Sequence, residues 1–220
     1  MAQTKLFYSP NYIRPIIPCQ LAQYFKLNYE CVDVTNGDHT FICDFPQKLA
    51  PALETPDGFK LSEAIAINNY IIKSSKNDAE IKKLLGTGDH KLESQILMWE
   101  SLAVSDFLNS EIAYIGPYIG LGKYDAEAAP ELKKKLCVIL HIYEKQLSEN
   151  RFLCGGDHVT LADLQTAGCF FLGFNFFFDE AWRTEYRHIT KWYKEVTATP
   201  YVSAFFKDKK FVDVTPQPPK

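Results

Sequence analysis

The residue types best suited to chemistry near the start of the chain crowd into LFYSPNYIRPIIP, residues 6–18, which holds Tyr8, Ser9, Asn11, Tyr12 and Arg14. Leu6 to Tyr8 read as the end of a strand, Ser9-Pro10-Asn11 as a turn, and the apolar run that follows as a helix. A helix start offers free N–H groups and a partial positive charge. Beside it, Tyr8 and Ser9 could each donate a hydrogen bond to a thiolate or a carboxylate. Arg14 could attract the same anion without passing a proton at neutral pH.

A second group lies further along. Ala50-Pro51-Ala52 precedes a short strand, Thr55-Pro56-Asp57-Gly58 suits a tight hairpin turn, and Ser62-Glu63-Ala64 opens a helix with Ser62 as its expected N-cap. A proline leading into a strand suits a cis peptide bond, which frees the preceding residue's backbone to pair with an extended peptide. The helix start could bind a carboxylate through its N–H groups, and Glu63 could hold an ammonium. With the turn at 9–14, these pieces would frame one cleft for a short zwitterionic peptide.

The elements that must position these residues alternate over the first 75 positions. A strand is expected at 5–8, a helix at 15–26 on the spacing of Ile17, Leu21 and Phe25, and a strand at 29–34. Residues 35–50 read as loop with a short helix around Asp44 to Lys48. The hairpin follows, then a helix marked by Ala64, Ile67 and Ile71. After residue 75 the strand signals stop. SSKNDAEIKKLLGTGDHK is polar, with glycines at 86 and 88, and reads as a connection. Leu92, Ile96, Trp99 and Ala103 start a long helix, and Leu132, Leu136, Ile139 and Tyr143 another. Thr160-Leu-Ala-Asp163 is a capping box ahead of an apolar run. Its aromatic end, FFLGFNFFF at 170–178, reads as a bulky core helix or one partly offered to another subunit. The expected architecture is α/β plus all-α: a small α/β domain at 1–76, a connection at 77–88, an all-helical domain at 89–210, and a proline-rich tail or linker start at 211–220.

Composition narrows the function classes. The chain has 220 residues, 46% hydrophobic and 14% aromatic, enough to fill a sizeable core. A net charge of -3 and a pI near 6.0 give no electrostatic reason to expect nucleic acid or an anionic membrane as partner. The six cysteines and five histidines are scattered, without metal-ligand or disulfide-framework spacing. MAQTKLFY has no apolar signal core, and a cytoplasmic setting is the expectation. GLGK at 120–123 and LLGTGD at 84–89 lack the context of phosphate-binding loops, and no GxSxG elbow exists.

Taken in order, the motifs resemble a known family. K-x-x-P-A-L from Lys48, S-E-A-I-A-I-N-N-Y from Ser62, and Gly156 with Thr160-Leu-Ala-Asp163 resemble the cytosolic glutathione transferase fold, a thioredoxin-like domain followed by an all-helical one. DFPQK, LLG, WESLAVSD, TLADL, FFFDEAWR and the ending FKDKKFVDVTPQPPK resemble, more narrowly, the amino-terminal domain of fungal elongation factor 1-gamma. The resemblance covers residues 4 to about 210. It implies a scaffold subunit of the translation elongation factor 1 complex that docks the guanine-exchange subunit, with a homodimer among its associations; the charge and the scattered Cys and His residues give the expectation of no metal, no direct nucleic acid and no membrane. It also implies glutathione as ligand, held by Arg14, Lys48, Ala50, Pro51, Glu63 and Ala64. If the chain is instead an active glutathione transferase, Arg14, Tyr8 or Ser9 would stabilise the thiolate. Two departures bear on that choice. Ile13 falls in the slot where related enzymes carry Ser or Cys, and Ala64 stands where the superfamily typically has Ser.

Overall fold

The structure is a computed structural model and describes residues 3–35, 37, 41 and 44–219. His39 and Cys43 therefore lie outside the described residues. Four strands form one mixed sheet in the order β2-β1-β3-β4: β1 is Thr4–Tyr8, β2 Tyr29–Asp33, β3 Ala52–Glu54 and β4 Lys60–Ser62. β1 runs parallel to β2, and β3 antiparallel to both β1 and β4. Helix α1 (Ile16–Tyr24) makes the crossover, and α2 (Ala64–Ser74) follows the hairpin.

Period-two alternation divides the sheet between two clusters. Leu6 and Leu53 point to the face covered by Ile17 and Leu21 of α1 and Ile67 and Ile71 of α2. Phe7 and Ala52 point the other way, onto Phe41 and Phe45. In the expected short helix at 44–48, Asp44 is helical but Pro46 and Gln47 form a turn.

The stretch 77–88, expected as a connection, instead contains α3 (Asp78–Leu85). Asn77 caps it by accepting from the Glu80 amide at 3.2 Å, and Gly86 ends it at φ 69°. Only Leu84 and Leu85 of this helix are buried, so its polar face hid it from a composition reading. Then come α4 (His90–Ser101), a π-helical stretch over Leu102–Phe107, α5 (Leu108–Ile115) and a 3-10 turn over Gly116–Ile119. The remaining helices are α6 (Ala129–Glu149), α7 (Leu161–Phe176), α8 (Glu180–Glu185), α9 (Arg187–Thr197) and α10 (Ser203–Phe206).

α7 is the axis of the helical half, as its aromatic run suggests. Phe170, Phe174 and Phe178 are buried, whereas Phe176 is exposed. Its capping box is complete: the Thr160 amide and hydroxyl both donate to Asp163 Oδ2, at 2.9 and 3.0 Å. Asp163 Oδ1 accepts from the Leu153 amide and from Trp192 Nε1, each at 2.9 Å. Close approaches along α7 require glycine. A Cβ at Gly173 would fall 2.0 Å from the Phe178 ring, and one at Gly168 would fall 2.7 Å from Ile17 of α1. The second contact joins the two halves, together with a buried bond of 2.6 Å from Asn68 to Gln165.

The tail also departs from expectation. The Thr215 hydroxyl shares its one proton between Asp179 Oδ2 at 2.7 Å and the Phe177 carbonyl at 2.8 Å, and the Val212 amide bonds to the Phe174 carbonyl. Phe211 packs on Phe174, so residues 211–215 continue the packed structure rather than begin a loose linker. Among the described residues no helix is long and apolar enough to cross a membrane.

Candidate functional site

The turn after β1 separates two hollows. On one side lies a cavity of about 540 Å³, floored by Ala50, Pro51 and the start of α2 and roofed by Leu108, Ile112 and Leu121. On the other lies a groove of about 950 Å³ with an aromatic wall that includes Phe171, Phe176 and Phe205. Asn11, Tyr12, Ile13 and Leu121 line both.

Backbone at Ala50, Pro51 and the start of α2 frames the smaller cavity. The Ala50–Pro51 bond is cis, as the residue types suggested, and Ala50 and Ala64 are buried. The α2 start differs from expectation in one respect. Ser62 belongs to β4, and the N-cap is Glu63, at φ 72° and ψ 124°, with no side-chain cap. The hairpin register decides this, because Ser62 pairs with Ala52 and so extends the strand. Glu63 is exposed at the cavity, and no N-cap side chain takes up the amides of the first helical turn.

Arg14 reaches sideways into the helical half. Its Nη2 donates to Asn109 Oδ1 at 3.1 Å and to the Val104 carbonyl at 3.4 Å. Arg14 thus lines the cavity while its guanidinium is fastened to the π-helical stretch and α5. Lys48 is exposed, at φ 54°, on the loop between Gln47 and Leu49, and those two neighbours line the cavity.

Tyr8 and Ser9 line the larger groove instead. Ser9 is buried, and its Oγ accepts from the Asn11 amide at 3.3 Å and lies 3.3 Å from Thr35 Oγ1. Thr35 gives its only hydroxyl proton to Asp33, at 2.5 Å, so the Ser9 proton goes to Thr35. The Ser9 hydroxyl is therefore engaged in holding the turn. Asp33 has its pKa lowered by the Thr35 hydroxyl and amide bonds.

Of the eight residues singled out from the sequence, Arg14, Ala50, Pro51, Glu63 and Ala64 come together in one cavity. Tyr8 and Ser9 stand next door, and Lys48 sits on the rim loop. The roof was missed. Leu121 lies in the glycine-rich loop 120–123 and stays half exposed, a hint that only tertiary contact makes readable. Among the described residues no cluster of three or more His, Cys, Asp or Glu side chains could hold a metal. The cavity offers what an extended peptide with a free carboxylate needs: backbone edges, helix amides and one acidic side chain.

The family model "Glutathione S-transferase, N-terminal domain" matches residues 2–73, and "Glutathione S-transferase, C-terminal domain" matches residues 96–200. A putative elongation factor 1 gamma homolog of Saccharomyces cerevisiae is 36% identical, over 94% of this chain and 93% of that protein. Elongation factor 1-gamma 1 of the same yeast is 33% identical over 97% of this chain. There the chain spans about half of the relative, 51% of its length. The crystal structure of the GST-like domain of elongation factor 1-gamma from that yeast superposes with a TM-score of 0.89 at 34% identity, covering 100% of both chains.

Proposed function

The chain belongs to the elongation factor 1-gamma family, with a glutathione S-transferase fold, and on that premise we propose that it is a scaffold subunit of the cytoplasmic translation elongation factor 1 complex. Its task in this reading is to dock the guanine-exchange subunit, and the transferase fold serves as an interaction surface. The observation that carries the reading is the state of the cavity. Its backbone frame is complete, but Ile13 and Ala64 offer no side-chain donor, and Ser9 and Arg14 already hold protein partners. Mixing the purified chain with the exchange subunit and passing the mixture over a size-exclusion column tests this. Co-elution is expected, and separate peaks would remove the scaffold reading.

The same cavity supports residual glutathione binding through the α2 amides, Glu63 and the Ala50 backbone. Calorimetry is expected to give weak affinity, and a conjugation assay no turnover. Self-association into a homodimer belongs to this reading too, since Leu97 and Met98 stand exposed on α4. A single sedimenting species of monomer mass would exclude it.

One observation favours the second reading, an active glutathione transferase acting on small electrophiles. Tyr8 lines the apolar groove that adjoins the cavity across the shared turn, where a phenol could meet a thiolate. Turnover abolished by Tyr8→Phe would establish that activity.

A further inference from the structure

Two thiols meet where α1 overhangs the edge of the sheet. β2 is an outer strand, and its alternation sends Val32 to the Phe7 cluster and Tyr29 to the helix-covered face. Cys31, two residues beyond Tyr29, faces the same way and is aligned with Leu6 in the parallel register. On α1, Cys19 packs partly buried against that core, with its thiol neighbouring that of Cys31. Both line the larger groove, with Cys31 exposed and Cys19 half-buried. Other cysteines have different company: the Cys154 sulfur lies 3.7 Å from the Thr160 hydroxyl oxygen, and buried Cys169 accepts from Gln165.

The contact divides the labour between the sulfurs. The neighbouring Cys19 thiol draws the Cys31 thiol down to about 7, against the opposing effect of burial. Cys19 is pushed well up by the same contact, by burial and by the negative charge on Cys31. One member is thus half ionised near neutral pH, and the other holds its proton.

We propose that Cys19 and Cys31 form a thiol–disulfide exchange site, with Cys31 as the attacking thiol, Cys19 as the resolving thiol, and a low-molecular-weight disulfide entering the groove as oxidant. The Cys31 thiolate attacks one sulfur of the small disulfide. Its S–S bond breaks, one small thiol leaves with a proton from water, and a mixed disulfide remains on Cys31. Cys19 then attacks the Cys31 sulfur, the second small thiol departs with the proton Cys19 gives up, and the Cys19–Cys31 bond closes. Two protein thiols are oxidised and one small disulfide is reduced to two thiols. Capping Cys31 removes its charge, and with it part of what holds the proton on Cys19, so the first step eases the second.

The test uses the full chain, reduced, then exposed to oxidised glutathione at pH 7, quenched with an alkylating reagent and mapped by mass spectrometry. Wild type is expected to yield the Cys19–Cys31 cross-linked peptide. Cys19→Ser should stop with one glutathionyl group on Cys31, and Cys31→Ser should take up glutathione at Cys19 at least tenfold more slowly. Alkylation of Cys31 should rise with a midpoint near pH 7. Absence of the cross-link in folded wild type, or a cross-link mapped to another cysteine pair, would overturn the proposal. So would equal reactivity of Cys19 in Cys31→Ser.

Discussion

The helices beginning at Ala64 and at Leu161 start in opposite ways. At α7, Thr160 and Asp163 close a capping box, and Asp163 also takes the Leu153 amide and the Trp192 indole, so a fully buried carboxyl meets four donors. Burial still raises the Asp163 pKa, against the lowering effect of those bonds. At α2, the N-cap is Glu63, with positive φ, an exposed side chain and no cap bond. One helix end is sealed by its own chain, and the other stands uncapped beside a cavity. Donors satisfied from within build the fold, and donors left open beside a hollow build a site.

The contrast can be broken first at its sealed end. Asp163→Ala leaves the indole, two amides and a hydroxyl without their acceptor, and is expected to cost about 3–5 kcal/mol of stability in urea unfolding. A second buried carboxyl sharpens the point. Both side-chain oxygens of Glu100 on α4 lack a hydrogen-bond partner, and burial raises its pKa from 4.5 to about 8. A carboxyl that binds its proton more tightly when folded contributes stability below pH 4.5 and loses it as pH rises toward about 8. Glu100→Gln removes that titration. Its stability relative to wild type should climb across this window, by a few kcal/mol at most, when denaturation midpoints are followed against pH.

At the open end, Ala64→Ser returns a hydroxyl to the start of α2. Calorimetry should show glutathione bound about tenfold more tightly, the worth of a charge-assisted hydrogen bond at about 1.5 kcal/mol. The smallest effect is expected from Glu63→Gly. Glycine accepts positive φ without a Cβ penalty, so the variant should gain about 1 kcal/mol of stability. The same change should weaken glutathione binding by removing the carboxylate. Opposite signs on the two measurements would separate a residue kept for a ligand from one kept for the fold.

The sealed helix start was readable from sequence because a capping box is local, with its partners three residues apart. So was most of the peptide cavity, where Ala50, Pro51, Glu63 and Ala64 sit on consecutive short elements. What escaped depends on distant contacts. α3 carries only two buried leucines, so its polar composition outweighed its Asn77 cap. Arg14 looked like a free cation until its bonds to Val104 and Asn109 placed it against helices ninety residues away. Ser9 looked like a free donor until Thr35 and Asp33 closed around it. The tail looked loose because its anchors, Asp179 and Phe177, are side-chain and backbone acceptors in another helix's surroundings.

Gly168 has a consequence of a mechanical kind. With no room for even one carbon between it and Ile17, α1 rests directly on the backbone of α7. Ile17 lies three positions beyond Arg14, and the turn ahead of it is the wall shared by both hollows. Any side chain at position 168 would act as a wedge, displacing α1 and shifting both hollows together. The spacing of the site is thus gauged by an atom that is missing, in a helix that contributes nothing to the smaller cavity's lining.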